Sequence, residues 1–464
     1  MNSLKSGASS VATAKVLLTD TNRWALAARL AIGLSEAGCQ VSAICPTPHH
    51  ALLKTRAVQR TFRYSGFRPL ESLQDAIEAV EPDVIVPSCD RGVEHLHELY
   101  ARAQSRGPAE SKLAALIERS LGSPASYSIV SSRYALLALA REEGVRVPST
   151  SRLDNAEELA SWRARESFPW VLKADGTWGG GGVKIVLTPD QVQQAFTQFA
   201  RMFRFGKTIK RLVVNRDPFW LRPWWNRFQH AVSVQSYIHG RPANCAVVCW
   251  KGRVLAGIGV EVLSSDGLTG PANVVRVVDN AEMKFAAERI ASRLGLSGFF
   301  GLDFMIEEGS GALYLVEMNP RMTPPCHLRL GKGRDMAGAL WAQLAGQPSP
   351  EAPPVTQNEK IAYFPQASSG NQELLQSCFQ DIPQGEPELV QELLRPWPDR
   401  TLLFRLFSRL NRRPTAPTAA ETRQAPTHDQ LKSHQPPGYA CHGTMGSTAD
   451  NTSLSDAQVP SRRT

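Results

Sequence analysis

No apolar run in the 464 residues approaches the roughly 20 needed to span a bilayer. The start of the chain, Met1 to Lys15, is rich in Ser and Ala and has no apolar signal core. Membrane spanning and a secretory leader are therefore not expected, and a cytoplasmic protein is. The eight cysteines form no CxxC pair, and Cys245 and Cys249 are four apart, which suits neither common zinc spacing nor a redox motif. They read as small buried residues in a reducing compartment. The turn after the first apolar stretch, Thr19 to Asn22, reads Thr-Asp-Thr-Asn and lacks GxGxxG, so a dinucleotide site has no support there. No internal repeat is visible.

What is present is ordinary for a globular protein: 42% hydrophobic and 20% charged residues, in a chain long enough for two or three domains. The net charge of +9 is concentrated, because Arg201 to Arg241 holds nine Lys and Arg against one acid, Asp217. That stretch also carries Trp220, Trp224 and Trp225. A patch so localised argues against a polyanion-binding surface, and nucleic acid is not an expected partner. Either an anionic substrate or a packed surface element accounts for it.

Strand and helix signals alternate through the first part. Val16 to Leu18, Val41 to Ile44 and Val84 to Val86 read as strands, and Trp24 to Ala37 and Leu73 to Val80 as helices. Such alternation predicts a parallel sheet covered by helices. Asp90 and Arg91 follow a strand's C-terminal end, where open α/β sheets bind ligands, although loop residues are equally expected there. Arg133 to Glu143 predicts a helix. Ala231 to Ile238 predicts a strand, Ala246 to Val260 a hairpin, and Glu282 to Leu294 a helix. From Thr415 to Thr464 the chain is too rich in Pro, Ser and Thr to bury much surface, and disorder is expected.

Two constellations carry chemistry. The first is Val171-Leu172-Lys173-Ala174-Asp175, a short loop, the glycines Gly179, Gly180, Gly181 and Gly182, then Val183-Lys184-Ile185-Val186. Consecutive glycines let backbone N–H groups approach a ligand, as a lid over triphosphate requires, with Lys173 placed to reach a phosphate. A plain glycine-rich hairpin is the alternative. The second is Gly301-Leu302-Asp303 with Tyr314-Leu315-Val316-Glu317-Met318-Asn319-Pro320-Arg321. Glu317 and Asn319 are two apart and share a strand face. With Asp303 they offer oxygen ligands for Mg²⁺ or Mn²⁺. Arg321 can reach a phosphate, or can pair with Glu317 at the strand end.

Together these constellations resemble the ATP-grasp superfamily over roughly Lys15 to Gly346, in particular its carboxylate–amine ligases and the carbamoyl phosphate synthase large chain. The resemblance implies a Rossmann-like parallel pre-ATP-grasp sheet over 15–125, followed by a two-subdomain ATP-grasp fold over 126–346. The lid part would take about 126–240, with the basic insertion at 203–228. It leaves 1–14 as a flexible start, 347–413 as a small C-terminal extension and 414–464 as a tail. Lys173 matches the lysine before the lid, and Arg133 the basic residue of the pre-lid helix that reaches ATP. Asp303, Glu317 and Asn319 match the metal ligands, Arg321 the arginine after them, and Gln235, Ser236, Tyr237 and Ile238 the adenine hinge. Gln235 departs from the Glu many members carry, and only Asn244 stands where many have a carboxylate near the ribose.

The implied reaction turns a substrate carboxylate into an acyl phosphate with ATP, and an amine then displaces phosphate. Lys173, Arg321 and Arg276 would act in it. Arg276 could pair a substrate carboxylate, or simply meet Glu261 or Asp279. His327 reads as structural. The competing readings are a carboxylase-like enzyme that phosphorylates bicarbonate and a protein that binds ATP without turnover. Small-molecule carboxylates and amines are the expected partners, and the sequence does not fix an oligomeric state.

Overall fold

Three strands of the N-terminal sheet alternate their apolar residues between two cores. In the computed structural model Val16 and Leu18 of β1 (Lys15–Thr19) join one buried cluster, and Leu17 joins another. Val84 and Val86 of β4 (Val84–Pro87) follow the first, and Ile85 the second. Side chains of period two thus fill both faces, which is why these strands read as unbroken apolar runs. The structure describes residues 13–22, 24–46, 49–107, 111–175, 182–200, 231–267, 270–349, 351–369 and 372–395, all within one compact unit, Met1–Phe407. Gly179, Gly180 and Gly181, the basic insertion and the expected disordered tail lie outside the described residues.

The first sheet is fully parallel in the order β3-β2-β1-β4, with β2 at Gln40–Cys45 and β3 at Val58–Arg63. Helices α1 (Leu26–Glu36), α2 (Pro69–Val80), α3 (Asp90–Arg106) and α4 (Ser111–Leu121) accompany it. Asp90 and Arg91 are the first turn of α3 rather than loop residues. After the one-turn α5 (Tyr127–Val130) comes α6 (Arg133–Glu142), where Ser132 caps the N-terminus by accepting from the Ala135 N–H. That cap makes Arg133 the first helical residue.

An antiparallel sheet follows in the order β5-β8-β6-β7, formed by Thr150–Arg152, Val232–Ser236, Trp170–Ala174 and Val183–Val186. Helices α7 (Ala156–Arg165) and α8 (Pro189–Ala200) flank it in sequence. Its described core is its own, built from Trp162, Trp170, Leu172, Phe199 and Val234 among others.

The largest sheet runs β13-β12-β9-β10-β11-β14-β15. Its strands are β9 (Gly240–Trp250), β10 (Arg253–Ser265), β11 (Ala272–Val278), β12 (Gly298–Glu307), β13 (Leu313–Asn319), β14 (Lys360–Tyr363) and β15 (Phe379–Asp381). One face packs on α6 and on α9 (Ala281–Leu294), through Leu136, Ile290, Phe300, Leu302 and Leu315. On the other, Ala246, Val248, Ile258 and Phe299 share a core with β1, α1 and α10 (Met336–Ala345). The N-terminal sheet is thereby welded to the large one.

One close approach shapes the site. A Cβ on Gly301 would lie 2.3 Å from Thr323 Oγ1 and 2.6 Å from its Cγ2. Gly301→Ala is therefore expected to destabilise the chain by about 1–3 kcal/mol. Thr323→Ala in the same chain should recover part of the loss, which thermal unfolding of the single and double variants will read.

Candidate active site

Sheet register assembles the site. Asp303 on β12 stands opposite Asn244 on β9 and opposite Glu317 on β13. The flanking Leu302, Phe304 and Met318 point into the core shared with α6 and α9. By alternation Asn244, Asp303 and Glu317 form one cross-strand row on the opposite face. All three line a cleft of about 490 Å³, together with Asn319, Arg321, Arg133, Asp175 and Gly182. That volume is ordinary for a ligand pocket.

Two cations hold Glu317. Arg133 Nε and Nη2 lie 3.0 and 2.9 Å from Glu317 Oε1. Its Nη1 donates to the Ala174 carbonyl at 2.6 Å and lies 3.8 Å from Asp175 Oδ1. Lys173 Nζ is 3.9 Å from Glu317 Oε2 and donates to the Val316 carbonyl at 2.7 Å. Burial pushes the Glu317 carboxyl up, but Arg133 and Lys173 outweigh it and hold the group below its usual range. Burial pushes the Lys173 ammonium down, against the pull of Glu317. Asp303 shifts the other way. Burial first, and then the charge of Glu317, push it up to about 6, with the Asn319 amide opposing.

Asn319 Nδ2 donates to Asp303 Oδ2 at 2.9 Å, and its Oδ1 accepts from Arg321 Nη2 at 3.0 Å. Arg321 Nε donates to Asp90 Oδ2 at 3.0 Å. The pairing of Arg321 with Glu317 that the spacing also allowed is not what forms: Arg321 takes Asp90 of the N-terminal sheet's α3, and Glu317 takes Arg133. A double-mutant cycle on Asp90→Asn and Arg321→Gln is expected to give a coupling of about 0.5–3 kcal/mol, measured by chemical denaturation.

The other residues singled out from sequence are distributed as follows. Lys173 is buried behind Glu317 and does not line the cleft. Gln235 is buried, with Nε2 donating to the Val316 carbonyl at 3.4 Å. The Ser236 and Tyr237 amides donate to the Ser149 and Pro169 carbonyls. Neither these three nor Ile238 lines the cleft. Among the described residues Asn244 Oδ1 has no hydrogen-bond partner, although it is buried. Arg276 stands outside the cleft with its guanidinium on Glu261, which also takes Arg241. Burial pushes the Glu261 carboxyl up, and the hydrogen bonds from Arg276 and Arg241 bring it below its usual range. His327 Nε2 meets the buried Asp381 at 2.7 Å, as a structural histidine does.

Sequence reasoning did not select Asp175, Thr323, Trp24, Glu94, Tyr363 or Gln366, all of which line the cleft. Asp175 carried a signal, since it follows Lys173 and Ala174 at the end of β6. Thr323 follows Arg321 by two residues and was passed over, and the others come from elements remote in sequence and gave none.

Among the described residues no group of three His, Cys, Asp or Glu is arranged to hold a metal. The row instead offers two carboxylates and two amides. That donor set suits a hard cation whose remaining ligands are substrate oxygens and water.

Comparison with known proteins bears on the fold. Residues 222–325 match the ATP-grasp domain family. The carbamoyl phosphate synthase arginine-specific large chain of Geobacillus stearothermophilus is 23% identical over 175 residues, 36% of this chain. That match takes in only 14% of the relative's length. N5-carboxyaminoimidazole synthetase of Staphylococcus aureus, solved with ADP, is similar over 73% of this chain and 79% of its own, with TM-score 0.50 and 13% identity. The biotin carboxylase domain of Hydrogenobacter thermophilus 2-oxoglutarate carboxylase, solved with MgADP, ADP and bicarbonate, is similar over 73% of this chain and 71% of its own, with TM-score 0.50 and 16% identity. At such identities the likeness is one of fold: a parallel four-stranded sheet followed by the antiparallel sheets of ATP-grasp.

Proposed function

We propose that this chain, an ATP-dependent enzyme of the ATP-grasp superfamily, activates a carboxylate as an acyl phosphate and passes it to an amine. The observation that carries the reading is the row Asn244, Asp303, Glu317 with Asn319, facing Arg133 and Arg321 across one cleft. Phosphoryl transfer needs little covalent help from protein. It needs alignment and neutralised charge. Arg133 and Arg321 are fixed cations, each already oriented by a carboxylate. Lys173 adds positive potential from behind Glu317, and the glycines through Gly182 are positioned in sequence to cover phosphate oxygens.

The residues fit a divalent cation. Asp303 is raised by burial and by the charge of Glu317, a pair that a cation would relieve. Asp303, Glu317 and Asn319 would hold Mg²⁺ or Mn²⁺, which would supply charge neutralisation on the phosphates. Asn244 belongs to the same row, so its oxygen is better placed for that cluster than for a ribose. Beyond the row the cleft continues to Trp24, Glu94, Tyr363 and Gln366, leaving space for a second substrate beside the nucleotide. Arg276, paired to Glu261 outside the cleft, is left as a positioning residue of the large sheet.

The test is a coupled ADP-release screen, with amino acids and other carboxylates supplied singly and paired with amines. ADP formation that requires both a carboxylate and an amine is the expected result. ADP formation with bicarbonate alone would replace the ligase reading with the carboxylase one.

A further inference from the structure

We propose that Glu94, with Trp24 and Asp90, forms the acceptor subsite of this cleft, and that the Glu94 carboxylate receives the proton the acceptor amine gives up. The inference rests on the ligase reading above and assigns its second substrate a place.

The N-terminal sheet has the order β3-β2-β1-β4, so its connections reverse direction between β1 and β4. A crevice at the carboxyl ends of those two strands is where such sheets take ligands. Trp24 follows β1, and Asp90 and Glu94 lie one turn apart on α3 after β4. All three line the described cleft. They occupy the side formed by the N-terminal elements, while Asp303, Glu317 and Asn319 occupy the side formed by the large sheet.

The two acids there differ in commitment. Asp90 is bonded to Arg321. Among the described residues Glu94 takes no hydrogen bond or ion pair, and its side chain is exposed in the cleft. Burial first, and then Asp90's charge, push its carboxyl up to about 7, opposed by Arg91 on the same helix. The charged groups lining the cleft around it are Arg133 from α6, Asp175 after β6, and Asp303, Glu317 and Arg321 from the large sheet. A carboxylate poised near neutrality, in a cleft that also holds an indole, fits a primary ammonium.

The step balances as follows. The acceptor arrives as an ammonium and loses one proton to Glu94, which frees the nitrogen lone pair. The N–C bond forms while the acyl C–O bond to phosphorus breaks. Its electron pair leaves with phosphate, which carries away the second proton and leaves the amide with one N–H.

Hydroxylamine provides the test, because it is a neutral nucleophile that needs no base to expose its lone pair. Wild-type and Glu94→Gln protein would be assayed with the carboxylate and amine found in the ADP-release screen, and in parallel with hydroxylamine replacing the amine. The expected result is that Glu94→Gln lowers amide formation about 100-fold or more relative to hydroxamate formation. The variant should also lose the rise in kcat/KM for the amine centred near pH 7 in the wild type. Glu94→Asp should recover part of the rate. Equal loss of amide and hydroxamate, or unchanged amide formation, overturns the assignment. Absence of hydroxamate in the wild type with every carboxylate removes the acyl phosphate itself, and the role of Glu94 falls with it.

Discussion

Glu317→Gln is expected to lower ATP turnover on the order of 10³-fold while leaving the chain folded. Glutamine keeps the shape and still accepts from Arg133, so the two hydrogen bonds at 3.0 and 2.9 Å have a partner. What disappears is the charge that Lys173 and Arg133 face, and half of the carboxylate pair that fits a divalent cation. Circular dichroism should be unchanged, and the melting temperature should fall, because Arg133 and Lys173 keep their desolvation cost without the charge that offsets it. Mn²⁺ binding in the presence of a nonhydrolysable ATP analogue should weaken in parallel with turnover. Wild-type turnover with wild-type Mn²⁺ affinity would dismiss Glu317 as a ligand.

Arg133→Met is expected to do more damage to the fold. It leaves Glu317 inside the cleft wall with Lys173 alone, and it cuts the tie from α6 to the Ala174 carbonyl. Removing one member of a buried ion pair costs about 3–5 kcal/mol, because the remaining charge keeps its desolvation penalty. Turnover should fall about 100-fold or more, since a fixed cation facing the phosphates is lost. Arg133→Lys separates the two effects. It restores charge but not the planar fork that reaches Glu317 and Ala174 together, so stability should recover further than kcat. Denaturation midpoints and steady-state kinetics of the two variants give the comparison.

Much of the N-terminal sheet was legible because its strands are apolar on both faces and its helices carry a single buried stripe. Edge strand β3 was not, because Val58 to Arg63 holds Gln, Arg and Thr at exposed positions and offers no alternation to read. Helix α3 was missed for a related reason. It starts directly after the short loop from β4, and its sequence, Asp90-Arg91-Gly92-Val93-Glu94-His95, is mostly polar. At the site, the residue types of β12 and β13 pointed to oxygen ligands, and the helix that begins at Arg133 was expected. Spacing did not determine partners. Whether Arg276 met Glu261 or Asp279 depends on the β10–β11 register, which places Glu261 opposite Arg276. Whether Lys173 faced the cleft depends on Val316, whose carbonyl captures it from a distant strand. Long-range pairings of this kind are set by packing of whole sheets, and a local window contains no trace of them.

The separate core of the β5-β8-β6-β7 sheet has a consequence for how the protein breathes. Stability in a folded chain is partitioned among units that can open one at a time. The N-terminal and large sheets share one apolar cluster and should exchange their amide hydrogens together, at the slowest rate. The β5–β8 unit has its own cluster, and hydrogen bonds joining it to the large sheet and α6 run through Lys173, Gln235 and Ala174. Its amides should exchange faster and in concert, by an opening that leaves the rest folded. Each opening of that kind parts Lys173 from Val316 and Arg133 from Ala174. The fraction of molecules with an assembled site at any instant is then governed by the free energy of that local opening rather than by global unfolding. A ligand that bridges the sheets should slow exchange in the β5–β8 unit first.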